Sequence, residues 1–116
     1  MKLKKVKEVP EEEVTAYGST GTTIQWLWKK DDGVPRFALR RFKITPGGEI
    51  GLHGHPEEHE IFIMEGKALV FNDSGDEFNV EPQDVLYVPP NEVHGYKNTS
   101  DTDFVFLCII PILPKE

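Results

Sequence analysis

The stretch GGEIGLHGHPEEHEIFIMEG, residues 47–66, decides how the rest of this chain is interpreted. All four histidines of the protein lie in it or in a second patterned segment, residues 84–98; they are His53, His55, His59 and His94. Side chains two residues apart in an extended chain project to the same side, so His53 and His55 point together. Neutral imidazole is the commonest protein ligand for transition metals, so this distribution predicts a metal site, although an H-x-H pair alone is also typical of a surface loop.

Short apolar runs rich in Val, Ile, Phe and Tyr surround this stretch, and nine prolines and ten glycines separate them. No long segment shows clear 3.6-residue periodicity, so the pattern predicts strands rather than helices. About ten short strands with turns at regular spacing predict an antiparallel all-β sandwich or barrel. A turn is expected at residues 46–48, and the unbroken apolar run at residues 104–110 is expected to form a strand buried on both faces.

The length of 116 residues suits one domain with one hydrophobic core. We predict an N-terminal arm over residues 1–22 and a barrel domain over residues 23–116. The net charge of -7 argues against nucleic acids and anionic membranes as partners. The basic N-terminus is followed by an acidic run without an apolar segment, so no signal peptide is expected and a cytoplasmic location is the default. The single cysteine, Cys108, fits a reducing compartment.

The strand predicted after the first hairpin carries one charge among apolar side chains. Ala38, Arg40, Phe42 and Ile44 share one face of it. If this face points inward, Arg40 lines a pocket and requires a partner or a ligand. A one-residue bulge would instead return Arg40 to solvent, and the sequence leaves both arrangements open.

The first histidine segment resembles the first motif of the cupin superfamily, G-x5-H-x-H-x3,4-E-x6-G. Gly47, His53, His55 and Gly66 match it at the required spacing. His59 stands where the family pattern has Glu. The resemblance is closest to small single-domain cupins with a four-histidine site.

The second segment resembles the second cupin motif, G-x5-P-x-G-x2-H-x3-N. Pro89, His94 and Asn98 match it, whereas Gln83 and Asn91 replace the two glycines. Asn tolerates a left-handed backbone, so Gln is the larger departure from the pattern. The two motifs in this order imply the cupin fold, an antiparallel double-stranded β-helix, or jelly-roll, barrel.

Carried over residue by residue, the resemblance implies one divalent transition metal bound by four ligands: His53, His55, His59 and His94. Imidazole ligands without a carboxylate suit such metals better than Mg or Ca, and the candidates are Mn, Fe, Cu, Ni and Zn. An ion that accepts six ligands would keep two neighbouring positions for water, oxygen or a chelating substrate.

Four residues are predicted to line a substrate pocket; they are Arg40, Tyr96, Phe104 and Cys108. Tyr96 lies two residues beyond His94 and faces the same way in a regular strand, either with its hydroxyl near the metal or as a core aromatic. Phe104 and Cys108 share a face of the last strand. The favoured alternative for Cys108 is a small core residue.

The resemblance implies a dioxygenase-type oxidoreductase acting on a small enol, diketone or phenolic substrate, with Arg40 orienting an anionic oxygen. The assignment of every histidine to the metal leaves no evident general base, which disfavours decarboxylase and isomerase chemistry. The alternatives are a non-catalytic sensor or small-molecule-binding module with a bound metal, and a purely structural zinc site. A homodimer is expected because cupins commonly pair.

Overall fold

Nine strands make up most of residues 1–114, the part of the chain that the computed structural model describes. In chain order they are β1 (Glu12–Glu13), β2 (Thr20–Trp28), β3 (Phe37–His53), β4 (His59–Glu65), β5 (Ala68–Asn72), β6 (Glu77–Val80), β7 (Val85–Val88), β8 (His94–Lys97) and β9 (Phe104–Pro111). Within the described residues, the helical segments are three short 3₁₀ turns, Val6–Glu8, Ala16–Gly18 and Lys30–Asp32. The predicted all-β class is confirmed, and no described helix has the length and apolar character needed to cross a membrane.

One strand, β3, connects the two parts of a single curled sheet. The strand order is β6-β5-β8-β3-β9-β4-β7, with β2 also beside β3 and β1 beside β2, and all these pairs are antiparallel. The first part of β3, residues 37–44, pairs with β2 and β9, and its last part, residues 49–53, pairs with β8. Because β3 belongs to both parts, the sheet curls around an interior, which is the barrel predicted from the strand pattern.

The turn predicted at residues 46–48 is wrong, because β3 continues through it. Gly47 adopts a φ of 81° there, and the pairing of β2 with β3 shifts register between Thr22 and Thr20. A Cβ on Gly48 would lie 2.7 Å from the carbonyl oxygen of Thr20, so the approach of the strands requires glycine at this position. The Pro-Gly-Gly sequence therefore makes a bulge that bends the strand without ending it.

The core fills the inside of the curled sheet. Phe104, Phe106, Ile44 and Ile63 are each at most 1% exposed, and burying side chains of this size contributes about 1.5–3 kcal/mol apiece. The expectation that the whole of β9 is buried on both faces is wrong. Its first three residues are buried, but Ile109 is 43% exposed on the outer face of the sheet.

Part of the N-terminal segment, β1, pairs with the edge of β2 that does not face β3. Glu12 and Glu13 pair with this strand, and the buried Gln25 side chain donates hydrogen bonds from Nε2 to the carbonyl oxygens of Val6 and Val9, at 3.1 and 2.9 Å. The predicted division at residue 22 stays a prediction. Residues 115–116 of the predicted barrel domain lie outside the described residues.

Candidate metal centre

The four histidines meet at one end of the barrel interior because three strands begin or end there. His53 is the last residue of β3, His59 the first of β4 and His94 the first of β8, while His55 lies in the β3–β4 loop. His53 and His94 are direct cross-strand partners. His59 and His94 are buried, at 3% and 2% exposure, and the other two are half-buried.

Three of these histidines are grouped closely enough to share one ion. Ligand atoms of His53, His55 and His94 all lie within 4.8 Å of one another. His59 is adjacent, with its Nε2 2.8 Å from Nε2 of His55, but it is not part of that group. The four-histidine ligand set is therefore not confirmed, and the structure supports the coarser statement that a histidine cluster could hold a metal.

Backbone carbonyls determine which nitrogen of His53 and His94 carries the proton. Nδ1 of His53 lies 2.8 Å from the carbonyl oxygen of Gly51, and Nδ1 of His94 lies 2.8 Å from that of Glu92. A carbonyl only accepts, so each Nδ1 donates and each Nε2 keeps a lone pair. This is the usual arrangement behind a metal-bound histidine.

The buried Nε2 of His94 tests whether these residues fit a metal. It has no hydrogen-bond partner among the described residues. An unpaired buried acceptor costs about 1–3 kcal/mol, and an ion shared with the neighbouring imidazoles would supply the missing partner. The donor set, all imidazole nitrogen, suits a transition metal, so the residues present fit such an ion.

His59 is held differently, by Arg40 and Cys108. Its Nδ1 lies 3.1 Å from Nη2 of Arg40 and 2.8 Å from Sγ of Cys108, and that sulfur lies 3.0 Å from the same Nη2. Because arginine only donates, Nδ1 accepts from it, and Nε2 carries the proton that is donated to His55. The other tautomer, with Nδ1 donating to Cys108, would free Nε2 of His59 for a metal.

Burial disfavours the charged form of three imidazoles of the centre, His53, His59 and His94. It lowers the pKa of His94 to about 4, and together with the charge of Arg40 it lowers the pKa of His59 to about 2. Burial also lowers the pKa of His53 and raises that of the Cys108 thiol, although Arg40 opposes the latter shift. Near pH 7 these three imidazoles are therefore neutral, which is the form that binds metals.

A cavity of about 160 Å³ lies beside the histidines. Arg40, Tyr96 and Cys108, three of the predicted pocket residues, line it. Phe104 does not, and Phe106 takes its place. The reason is position along the strand: Phe104 pairs with Ile44, beyond the end of the cavity, whereas Cys108 pairs with Arg40.

Two further wall residues, Val14 and Tyr17, come from the N-terminal segment. The ring of Tyr17 stacks on that of His53, with centroids 4.4 Å apart and an interplanar angle of 13°. The sequence carried no signal for this contact, because it depends on how a segment without clear periodicity folds back over β3.

Comparison with protein families gives one match to this region. The family model described as "Cupin domain" matches residues 40–110, which include all four histidines and both sequence motifs from His53 to Asn98.

Three curated proteins are similar to part of the chain, and they include the following two. The "Oxalate-binding protein" of Thermotoga maritima is 39% identical over 73 residues, covering 63% of this chain and 60% of that protein. The 1-methylthio-D-xylulose 5-phosphate methylsulfurylase of Rhodospirillum rubrum is 30% identical over 86 residues, covering 67% and 53%. The chain therefore spans between 53% and 60% of the length of these relatives.

Several solved structures are similar over nearly the whole chain, and they include the following two. The polyketide cyclase RemF from Streptomyces resistomycificus has a TM-score of 0.89 and 32% identity, covering 96% of this chain and 79% of that one. A predicted oxalate decarboxylase from Thermotoga maritima has a TM-score of 0.85 and 26% identity, covering 97% and 100%. These likenesses confirm the predicted double-stranded β-helix barrel.

Proposed function

This chain belongs to the family of cupin domains, and from that premise we propose that it binds one divalent transition metal at its histidine centre and a small chelating ligand beside Arg40. The observation that carries the proposal is the unpartnered, buried Nε2 of His94, in a group where ligand atoms of His53, His55 and His94 lie within 4.8 Å of one another. His53, His55 and His94 would hold the ion. His59 joins as the fourth ligand once its proton lies on Nδ1, facing Cys108.

The cavity supports a ligand smaller than a typical drug. Its volume of about 160 Å³ lies below the range of about 300–1,000 Å³ that is usual for drug-sized ligands. Phe42, Ile50 and Phe106 give it apolar walls, and the Nε of Arg40 is buried with no hydrogen-bond partner among residues 1–114. A small ligand with an anionic oxygen would pair that oxygen with Arg40 and chelate with the others.

The proposed reaction is of the dioxygenase type, on a small enol, diketone or phenolic substrate. A redox-active ion, when bound, supplies the site for oxygen and substrate. The protein side chains would bind and orient: Arg40 fixes the anionic oxygen, and the apolar walls exclude water. Burial keeps Tyr96 protonated by raising its pKa, so the hydroxyl is a hydrogen-bond donor rather than a base. This arrangement favours chelate and oxygen chemistry over proton transfer.

The second candidate is binding without turnover. The relative named as an oxalate-binding protein favours it, because oxalate is a small chelating dianion that suits both the cavity volume and Arg40. A purely structural zinc site fits less well. Structural zinc sites are closed by their protein ligands, whereas here a cavity adjoins the histidines.

The test uses protein loaded separately with Mn, Fe, Cu, Ni and Zn. Oxygen consumption with acetylacetone measures turnover, and calorimetry with acetylacetone and with oxalate measures binding. Oxygen uptake supports the dioxygenase, whereas binding without uptake supports the second candidate. A loaded protein that neither binds nor consumes these probes contradicts both.

A matched pair of arginine variants tests the role of Arg40. We expect Arg40→Met to weaken ligand binding about 10–100-fold, because a hydrogen bond to a charged group contributes about 1.5–3 kcal/mol. The control is Arg41→Met, because Arg41 points away from the cavity and donates to Oε1 of Gln25 at 2.9 Å. Equal ligand affinity in the two variants would show that Arg40 does not contribute to ligand binding.

The predictions of a homodimer and of a cytoplasmic location stay predictions. One surface that could support self-association is the outer face of β4, β7 and β9, where Phe62, Val85, Tyr87 and Ile109 are exposed. Sedimentation at several protein concentrations would show whether a dimer forms.

A further inference from the structure

The 3₁₀ turn Ala16–Gly18 lies over the end of β3 that carries the metal centre. Tyr17 is the part of this turn that reaches the site: one face of its ring covers His53, and its side chain forms a wall of the cavity. Val14, just before the turn, is another wall residue, and its backbone N–H donates to the carbonyl oxygen of Thr22 at 3.0 Å. The N-terminal segment is therefore part of the site.

The position of Tyr17 is fixed at a conformational cost. Its backbone is left-handed, with φ 59° and ψ 30°, a conformation that costs an L residue about 1–2 kcal/mol. Two contacts hold it there. Ser19 donates from its N–H and its Oγ to the carbonyl oxygen of Ala16, at 3.0 and 2.6 Å, and Gly51 leaves the space that the Tyr17 carbonyl occupies. Strain that the surroundings hold in place in this way is typical of ligand-contacting segments.

We propose that Tyr17 determines specificity by setting the largest ligand that the metal centre admits. This inference rests on the proposed function. The ring stands at the mouth, stacked on His53 and 55% exposed, so a ligand that chelates an ion held by His53 must fit beneath its edge. Small aliphatic chelators fit beside Arg40 under this wall. Chelators with aryl substituents meet the Tyr17 ring, which its stacking on His53 holds in place.

The test compares two β-diketones with the same chelating group, acetylacetone and 1,3-diphenylpropane-1,3-dione, on the metal-loaded protein. The wild type is expected to prefer acetylacetone. Tyr17→Ala is expected to shift the affinity ratio toward the diphenyl compound about tenfold or more, the size of discrimination that a pocket wall provides. Tyr17→Phe keeps the ring and is expected to restore the discrimination. Tyr87→Ala is the matched control, because Tyr87 is similarly exposed, at 54%, on the outer face of the sheet.

A second variant changes the position of the Tyr17 ring by displacing the backbone of its turn. A Cβ at residue 51 would overlap the carbonyl oxygen of Tyr17, so Gly51→Ala displaces the turn without changing the ring. We expect it to relax the discrimination in the same direction as Tyr17→Ala. An unchanged affinity ratio in Tyr17→Ala, or a wild type that binds both diketones equally, overturns the inference.

A metal-free measurement separates this inference from the proposed function. Diethyl pyrocarbonate reacts with accessible imidazole, and mass spectrometry reports its rate at each histidine of the metal-free protein. Loss of the stacked ring is expected to increase the rate at His53 several-fold in Tyr17→Ala and to leave it unchanged in Tyr87→Ala. A wild type that binds no metal defeats the proposed function, whereas an unchanged His53 rate defeats the assignment of Tyr17 as its cover.

Discussion

Removal of the Cys108 thiol is expected to weaken metal binding although sulfur is not among the grouped ligands. Sγ of Cys108 is the one acceptor placed, at 2.8 Å, to receive a proton from Nδ1 of His59 within the described residues. In Cys108→Ala, Nδ1 keeps only Arg40, which donates. His59 then stays protonated on Nε2, and this proton continues to occupy the lone pair of His55 at 2.8 Å.

The size of the effect follows from that tautomer. Loss of a group that orients a metal-bound histidine lowers metal affinity about 10–100-fold. At about 1.36 kcal/mol per factor of ten, this amounts to about 1.4–2.7 kcal/mol of binding free energy. Cys108→Ser is the control, because a hydroxyl also accepts from Nδ1, and we expect its affinity to lie between the wild type and Cys108→Ala. Truncation of this buried side chain also lowers the free energy of unfolding by about 1 kcal/mol.

The assay is a competition for Co(II) or Zn(II) between the protein and a chelator of known affinity. Circular dichroism confirms that each variant is folded, and the cobalt absorption bands report the coordination geometry of the bound ion. A Cys108→Ala protein that is folded and binds metal as tightly as the wild type would refute the reasoning, because His59 would then not depend on the thiol.

Three further predictions concern stability. Acidification from about pH 6.5 to about pH 4 should destabilise the metal-free protein, because burial lowers the pKa values of His94 and His59 in the folded chain to about 4 and about 2. Above these values the unfolded chain takes up protons that the folded chain does not, which costs up to about 1.4 kcal/mol per histidine and pH unit. Denaturant titrations that give equal stability at both pH values would contradict this. Gln83→Gly should raise the melting temperature by a few degrees. Gln83 has a φ of 74°, and glycine adopts this left-handed backbone without the cost of about 1 kcal/mol that other residues carry. Calorimetry that shows a lower melting temperature would contradict this prediction. Asn98→Ala should lower the free energy of unfolding by about 3 kcal/mol and leave metal affinity unchanged. The buried Asn98 amide donates to the carbonyl oxygens of Ile44 and Thr102 at 2.8 Å each and accepts from Ser100, and these hydrogen bonds would be lost. A chelator competition that shows weaker metal binding would contradict this prediction.

The all-β fold could be predicted because turn residues and alternating apolar positions are local signals. The bulge at Gly47 could not be predicted, because Pro-Gly-Gly is also a turn signal. Only the pairing of β3 with both neighbouring strands shows that the strand continues through residues 46–48. The second motif shows the opposite case. Gln83 and Asn91 stand at its glycine positions, yet both keep positive φ, at 74° and 66°, so the backbone of these turns is retained without the residue that favours it.

The histidines of the site could be identified from their spacing, but the protonation state of each one could not be predicted. The proton on His59 depends on Arg40 and Cys108, which reach it from strands distant in sequence. Alternation along β9 identified the inward face, but it could not tell that Phe104 lies past the end of the cavity and Phe106 beside it. Such positions depend on the register between β3 and β9, which cannot be deduced from the alternation of apolar residues alone.

Metal content tests most directly whether this histidine centre binds an ion. The measurement is elemental analysis of protein purified without added metal, and again after separate exposure to Mn, Fe, Cu, Ni and Zn and removal of excess. We predict about one ion per chain in the wild type for at least one of these metals, and a loss of that ion in His94→Ala with the fold retained. A folded wild-type protein that retains none of the five above background, or a His94→Ala protein that retains as much as the wild type, would contradict the proposed metal centre.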